Sequence, residues 1–150
     1  MAPDHHNAQI ARRLWEAISH GDVDAFLALT TPDVVWRARG ENPFALETKG
    51  PAATLEFLAN AGDAVDDIRM RVLDIFASDR GAIVHYAMNA HRDRRSVAGE
   101  LYLCLRMEGD RVAEAELIAA DAAANDAFWR DVPAPRPEAP GALAPRIQNS

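Results

Sequence analysis

The chain has 150 residues, 49% of them hydrophobic and 26% charged, which suits one soluble globular domain with a sizeable core. A net charge of −7 and a pI near 5.1 count against nucleic acid or an anionic membrane as partner, because both call for a basic face. The densest basic stretch, Arg92 to Arg95, is broken by Asp93 and reads as a solvated turn. The single cysteine, Cys104, has no internal disulfide partner. With no signal-like apolar run near the N-terminus, a cytoplasmic location is expected.

From about His6 to His20, apolar residues recur at Ile10, Leu14, Ala17 and Ile18, flanked by Trp15. That is helical spacing, and Gly21 supplies the stop. Asp22 caps a second, short helix, VDAFLAL, which ends before Thr31-Pro32. Residues 33–38, DVVWRA, are β-prone, and RGENPFALETKG reads as a loop broken by Gly40, Pro43 and Gly50. Pro51 then opens a third helix that Gly62 closes.

From Asp67 to Asp121 the pattern changes to four strand-like runs, IRMRVLDIFAS, GAIVHYAMNAH, VAGELYLCLRM and RVAEAELIAA. Their short links, at Ser78–Gly81, Arg92–Arg95 and Glu108–Arg111, predict an antiparallel meander. A short helix over 122–129 follows, with Phe128 and Trp129 as a clasp on the core. The domain is expected to span 1–131. Residues 132–150, a Pro/Ala-rich tail with five of the nine prolines, are expected to be extended and disordered. The whole predicts an α+β fold, with three N-terminal helices on a strongly curved, mixed or antiparallel sheet enclosing an internal pocket.

The run LWEAISHGDVDAFLALTTPDVVW resembles the opening of the nuclear transport factor two-like superfamily, and within it the SnoaL-like polyketide cyclase group. The loop GENPFALETKGPAATLEFL and the ending MEGDRVAEAELIAADAAANDAFW resemble that group's third-helix approach and final hairpin with its clasp. The resemblance covers roughly residues 8 to 130. It implies a cone-shaped α+β barrel, commonly a homodimer through the outer face of the sheet. It also spans several activities: ketosteroid isomerases, limonene-type epoxide hydrolases, cyclases, dehydratases and binding modules without turnover. Fold analogy does not choose among these.

The isomerase base, tyrosine and acid positions fall near Ala38, Leu14 and Cys104, so that set is missing. The charged epoxide-hydrolase triad is replaced by Asn89-x-His91 and a position near Leu117. The cyclases resembled use an acid/base Asp on the last strand without metal or cofactor, and Asp121 is the nearest match. Asp121 is equally placed to cap the following helix. The expected site therefore has Asp121 and His85 as proton-transfer groups and Tyr102 and Asn89 as donors. Trp36 is its wall, with Glu100 and Leu117 beside it.

Counting outward from the turn at Glu108–Arg111 pairs Tyr102 with Leu117, Cys104 with Ala115 and Glu100 with Ala119. On that count, Glu100, Tyr102 and Cys104 share a pocket-facing side, and Leu101, Leu103 and Leu105 form the partner-facing side. The reverse, leucines inward, stays open. The first reading is a cofactor-independent cyclase, isomerase or dehydratase acting on a hydrophobic oxygenated small molecule. A non-catalytic binding or dimeric module is the alternative, and an epoxide hydrolase the third. No metal is expected, since His85 and His91 lack a carboxylate at fixed spacing.

Overall fold

Helix α1 (His6–His20) buries the stripe the spacing predicts: Ile10, Ala11, Leu14, Trp15, Ala17 and Ile18. It stops at Gly21, whose φ of 67° lets the cap N–H reach back to the carbonyls of Ala17 and Ile18. Asp22 caps α2 (Val23–Leu29) by accepting from the Ala25 N–H, and Pro51 begins α3 (Pro51–Asp63). A computed structural model describes residues 5–130 and, as backbone, 147–149. Most of the expected tail, residues 131–146 and 150, lies outside the described residues.

The strands are β1 (Thr30–Ala38), β2 (Glu47–Lys49), β3 (Asp67–Ser78), β4 (Gly81–Arg92), β5 (Arg95–Glu108), β6 (Arg111–Ala119) and β7 (Ile147–Asn149), with α4 (Ala122–Trp129) after β6. They form one mixed sheet in the order β2-β1-β6-β5-β4-β3-β7. The meander β3 to β6 is antiparallel throughout, whereas β1 joins β6 in parallel and β7 joins β3 in parallel. Helix α1 packs on β3 and β4, α3 on β1 and β2, and α4 on β5 and β6, so the helices cover one face. The fold is α+β, as expected. Strand β2 was not: its three residues sit inside the stretch read as a loop, and pair with Val35 to Arg37.

One irregularity decides which side chains face the helices. Next to the turn, Glu108 pairs with Arg111 and Met107 with Val112, as counted from the sequence. The next pair is Arg106 with Glu114, so Ala113 is an extra residue in β6, a β-bulge. Beyond it every pairing is displaced by one: Tyr102 faces Ile118, Leu103 faces Leu117 and Leu101 faces Ala119. A one-residue displacement in a strand exchanges its two faces. The shift places Ala115 and Leu117 with the buried Leu101, Leu103 and Leu105, and the face carrying Glu100, Tyr102 and Cys104 points away from the helices. This corrects the expected pocket-facing side.

Candidate functional site

Between the helices and the sheet lies a cavity of about 130 Å³. Every layer contributes to its wall. Trp15 comes from α1, Trp36 from β1, Phe57 from α3, Tyr86 and Met88 from β4, and Leu101 and Leu103 from β5. Leu117 and Trp129 close it from β6 and α4. The aromatic side chains touch one another across the wall: Trp15 and Tyr86 have ring centroids 4.6 Å apart, and Phe44 and Trp129 5.1 Å apart. All three tryptophans of the chain border the cavity.

Polar groups there are few. Arg39, Asn42 and Asn125 sit at one end, where the loop after β1 meets α4. Deeper in, the indole N–H of Trp36 is buried and has no hydrogen-bond partner among the described residues. An unsatisfied buried donor costs roughly 1–3 kcal/mol, so this one stands out in an otherwise apolar wall. The Tyr86 phenol is also buried, and desolvation holds its pKa well above the ordinary phenol value. It stays protonated across the neutral range, able to donate but not to act as a base.

Of the site residues expected from the sequence, Trp36 and Leu117 border the cavity. The other five do not, and each has a physical reason. Asp121 is exposed and caps α4, its carboxylate accepting from the Ala124 N–H at 3.0 Å. His85, Glu100 and Tyr102 do come together, but on the outer face, because they alternate with the buried Val84 and Tyr86 of β4 and Leu101 and Leu103 of β5 in strands that pair without a shift. There His85 Nε2 donates to Glu100 Oε1 at 2.6 Å, and the imidazole stacks on the Tyr102 ring at 4.7 Å. Asn89, two and four residues along β4 from Ala87 and His85, is exposed on that same outer face. Arg37, next to Trp36 on β1, donates to Glu47 and Glu114 on the outer side.

The outer face carries most of the charge. Glu114 has its pKa lowered by the Arg106 hydrogen bond, and Glu116 by the one from Arg39. Burial, then the Glu116 charge, push the Cys104 thiol up, the opposite of what a nucleophilic cysteine requires. No group of three or more His, Cys, Asp or Glu capable of holding a metal occurs among the described residues, and none of their helices is long and apolar enough to cross a membrane.

Tyr86, Trp15 and Trp129 are among the lining residues that the sequence reading did not place in the site. For Tyr86 the signal was available. Val84, Tyr86 and Met88 alternate with His85 and Asn89 on β4, and that alternate set is the buried one.

Helices on one face of a mixed sheet, with an apolar cavity between the layers, define the class of α+β ligand-pocket domains. The profile of the SnoaL-like domain matches residues 11–115, and the chain belongs to that family. No curated protein matches it in sequence. Among solved structures it is similar to Bal32a, from a soil-derived mobile gene cassette, with a TM-score of 0.75 and 24% identity over 83% of this chain and 97% of that one. It is also similar to TerC, co-crystallised with polyporic acid, with a TM-score of 0.72 and 16% identity over 83% and 98% of the two chains. IdmH of Streptomyces antibioticus, provisionally named a polyketide cyclase, is similar with a TM-score of 0.63 and 17% identity over 78% and 94%. These likenesses establish the fold.

The Tyr86 environment makes a pH prediction. Its folded pKa is raised above an unfolded value of about 10, so its contribution to stability is complete below that pH and is lost as pH rises through the folded value. Denaturation midpoints measured from pH 9 upward should fall for the wild type, and Tyr86→Phe should flatten that fall. An equal slope in both proteins would contradict the burial of the phenol.

Proposed function

We propose that the chain binds a small, hydrophobic molecule of about one ring, bearing an oxygen acceptor, in the cavity between helices and sheet. The observation that carries this reading is an apolar, tryptophan-lined space with one unsatisfied donor, the Trp36 N–H. Size narrows the ligand. At about 130 Å³ the cavity is close to the ~150 Å³ engineered cavity that holds benzene, and below the roughly 300 Å³ where drug-sized pockets begin. A multi-ring polyketide exceeds it; a monocyclic ketone, phenol or quinone-like ring matches it.

Binding without acid–base turnover is the version the geometry favours. Removing a proton beside a carbonyl needs a carboxylate or imidazole within about 3 Å of the reacting atom. No Asp, Glu or His borders the cavity among the described residues. Asp121 and His85, the expected proton-transfer pair, are engaged outside it, with the Ala124 N–H and with Glu100. A cyclase, isomerase or epoxide hydrolase working in this cavity would need an acid or base other than Asp121 and His85.

All three tryptophans border the site, so intrinsic fluorescence reports on it directly. Acetophenone should give a saturable change, and ethylbenzene, alike in shape without the acceptor, should bind about 10-fold more weakly, in line with an unmet buried donor. Trp36→Phe should erase that difference. The absence of saturation with any single-ring compound at millimolar concentration would refute the reading. So would a ketone preference that persists in Trp36→Phe.

We infer also that two copies pair through the outer face of the sheet. Phe76, Ile83 and Ile118 are exposed there, with Tyr102 between the strands that carry the last two. Contiguous exposed apolar side chains rimmed by charge are the composition of an association surface. Light scattering should give twice the 16.4 kDa chain mass for the wild type and the single-chain mass for Ile83→Glu/Ile118→Glu. A wild type that runs as a monomer at high micromolar concentration would exclude this pairing.

A further inference from the structure

Asp126 is a buried carboxylate that borders neither the cavity nor the outer face, and no part of the binding argument uses it. It projects from α4 toward the loop between β1 and β2. Its Oδ1 accepts from the Glu41 N–H at 2.9 Å and from Asn42 Nδ2 at 2.6 Å. Asn42 passes the constraint on, because its own Oδ1 accepts from the Phe44 N–H at 2.8 Å. The Phe44 ring lies against Trp129 and Phe57, as part of the cavity wall. Approach of the loop to this carboxylate depends on Gly40. Its φ is +139°, and a Cβ there would lie 2.4 Å from Asp126 Oδ1.

Both bonds converge on one oxygen, so the loop is fastened at a single charged point. The fastening stands at the polar end of the cavity, where Asn42, Asn125 and Arg39 gather and the wall is otherwise apolar. Arg39 is exposed there, and Asn42 and Asn125 are half-buried, so this end lies nearest the surface. Moving Asn42 outward breaks its bond to Asp126, and moving Phe44 outward breaks the bond of its N–H to Asn42.

Resting on the binding reading above, we propose that Asp126 is a positioning residue: it latches residues 40–45 shut over the cavity and sets how fast ligand enters and leaves. The carboxylate acts through Asn42 and Phe44 and does not touch the ligand. Hydrogen bonds to a charged acceptor are strong enough that releasing them should open the loop about 10-fold or more often.

The test is amide hydrogen exchange on the full chain, with stopped-flow acetophenone binding alongside. In Asp126→Ala, the amides of Glu41 and Phe44 should exchange about 10-fold or more faster than in wild type, while those of β4 are unchanged. Association and dissociation rates should rise together, leaving Kd within about 3-fold. Asp126→Asn, which keeps Oδ1 as a neutral acceptor, should fall between wild type and Asp126→Ala, a partial rescue that a general loss of folding would not show. If Asp126→Ala does not fold, Asn42→Ala should give the same acceleration at Phe44. Unchanged exchange at 41–44 in the foldable variants would overturn the latch. Faster exchange with both ligand rates unchanged would overturn its control of access. Should acetophenone not bind the wild type, the binding reading fails, and with it the control of access. The fastening of the loop is then decided by the exchange data.

Discussion

The single extra residue at Ala113 is the constraint on which the inside and outside of this molecule depend. A strand places alternate side chains on opposite faces, so one unpaired residue exchanges the faces of everything beyond it. Here it turns Ala115 and Leu117 of β6 toward the helices, beside Leu101, Leu103 and Leu105 of β5, and leaves Glu114 and Glu116 on the outer side with Glu100, Tyr102 and Cys104. Without the extra residue, Glu114 and Glu116 would share the buried face of the three leucines, against an otherwise apolar wall. Burial of an unpaired charge is far more costly than the local disruption of a ladder. The bulge is therefore the cheaper arrangement, and the apolar cavity follows from it.

The elements themselves were legible in the sequence. The 3.6-residue spacing of Ile10, Leu14 and Ile18, the caps at Gly21 and Asp22, Pro51, and the short turns of the meander each placed an element close to where it lies. Local chemistry determines all of these. The facing of the site was not legible, because it depends on a register shift with no Gly or Pro to announce it: Val112-Ala113-Glu114 reads as uninterrupted strand. Strand β2 was missed for a related reason, since three residues flanked by loops carry no periodicity, and its partner is recruited from β1. Asp121 shows a different limit. Its position after the last strand suited both a base and a helix cap, and only the geometry of α4 separated them.

The polar cluster on the outer face illustrates how chemistry-bearing residues can gather without a cavity. His85, Glu100 and Tyr102 are in mutual contact, yet their surroundings are the exposed sheet surface beside Phe76 and Ile118. The inner space has the opposite character: a wall of aromatic and aliphatic groups, one unmatched donor, and a protonated phenol. An acceptor-bearing ring, the ligand we propose, would satisfy that donor and fill the space at once. The same loop that contributes Asn42 and Phe44 to the wall is fastened by Asp126, so wall and mouth are held by one carboxylate.

The proposed binding places the ligand in the cavity and not at the His85 cluster. The most direct measurement is a ¹H–¹⁵N correlation spectrum of the protein titrated with acetophenone, following the three indole N–H signals and the backbone amides of β4 and β5. The account predicts a downfield shift of the Trp36 indole proton on saturation, smaller changes at Trp15 and Trp129, and no response from amides whose side chains lie only on the outer face. Shifts concentrated at His85, Glu100 and Tyr102, with the indole signals unmoved, would contradict it.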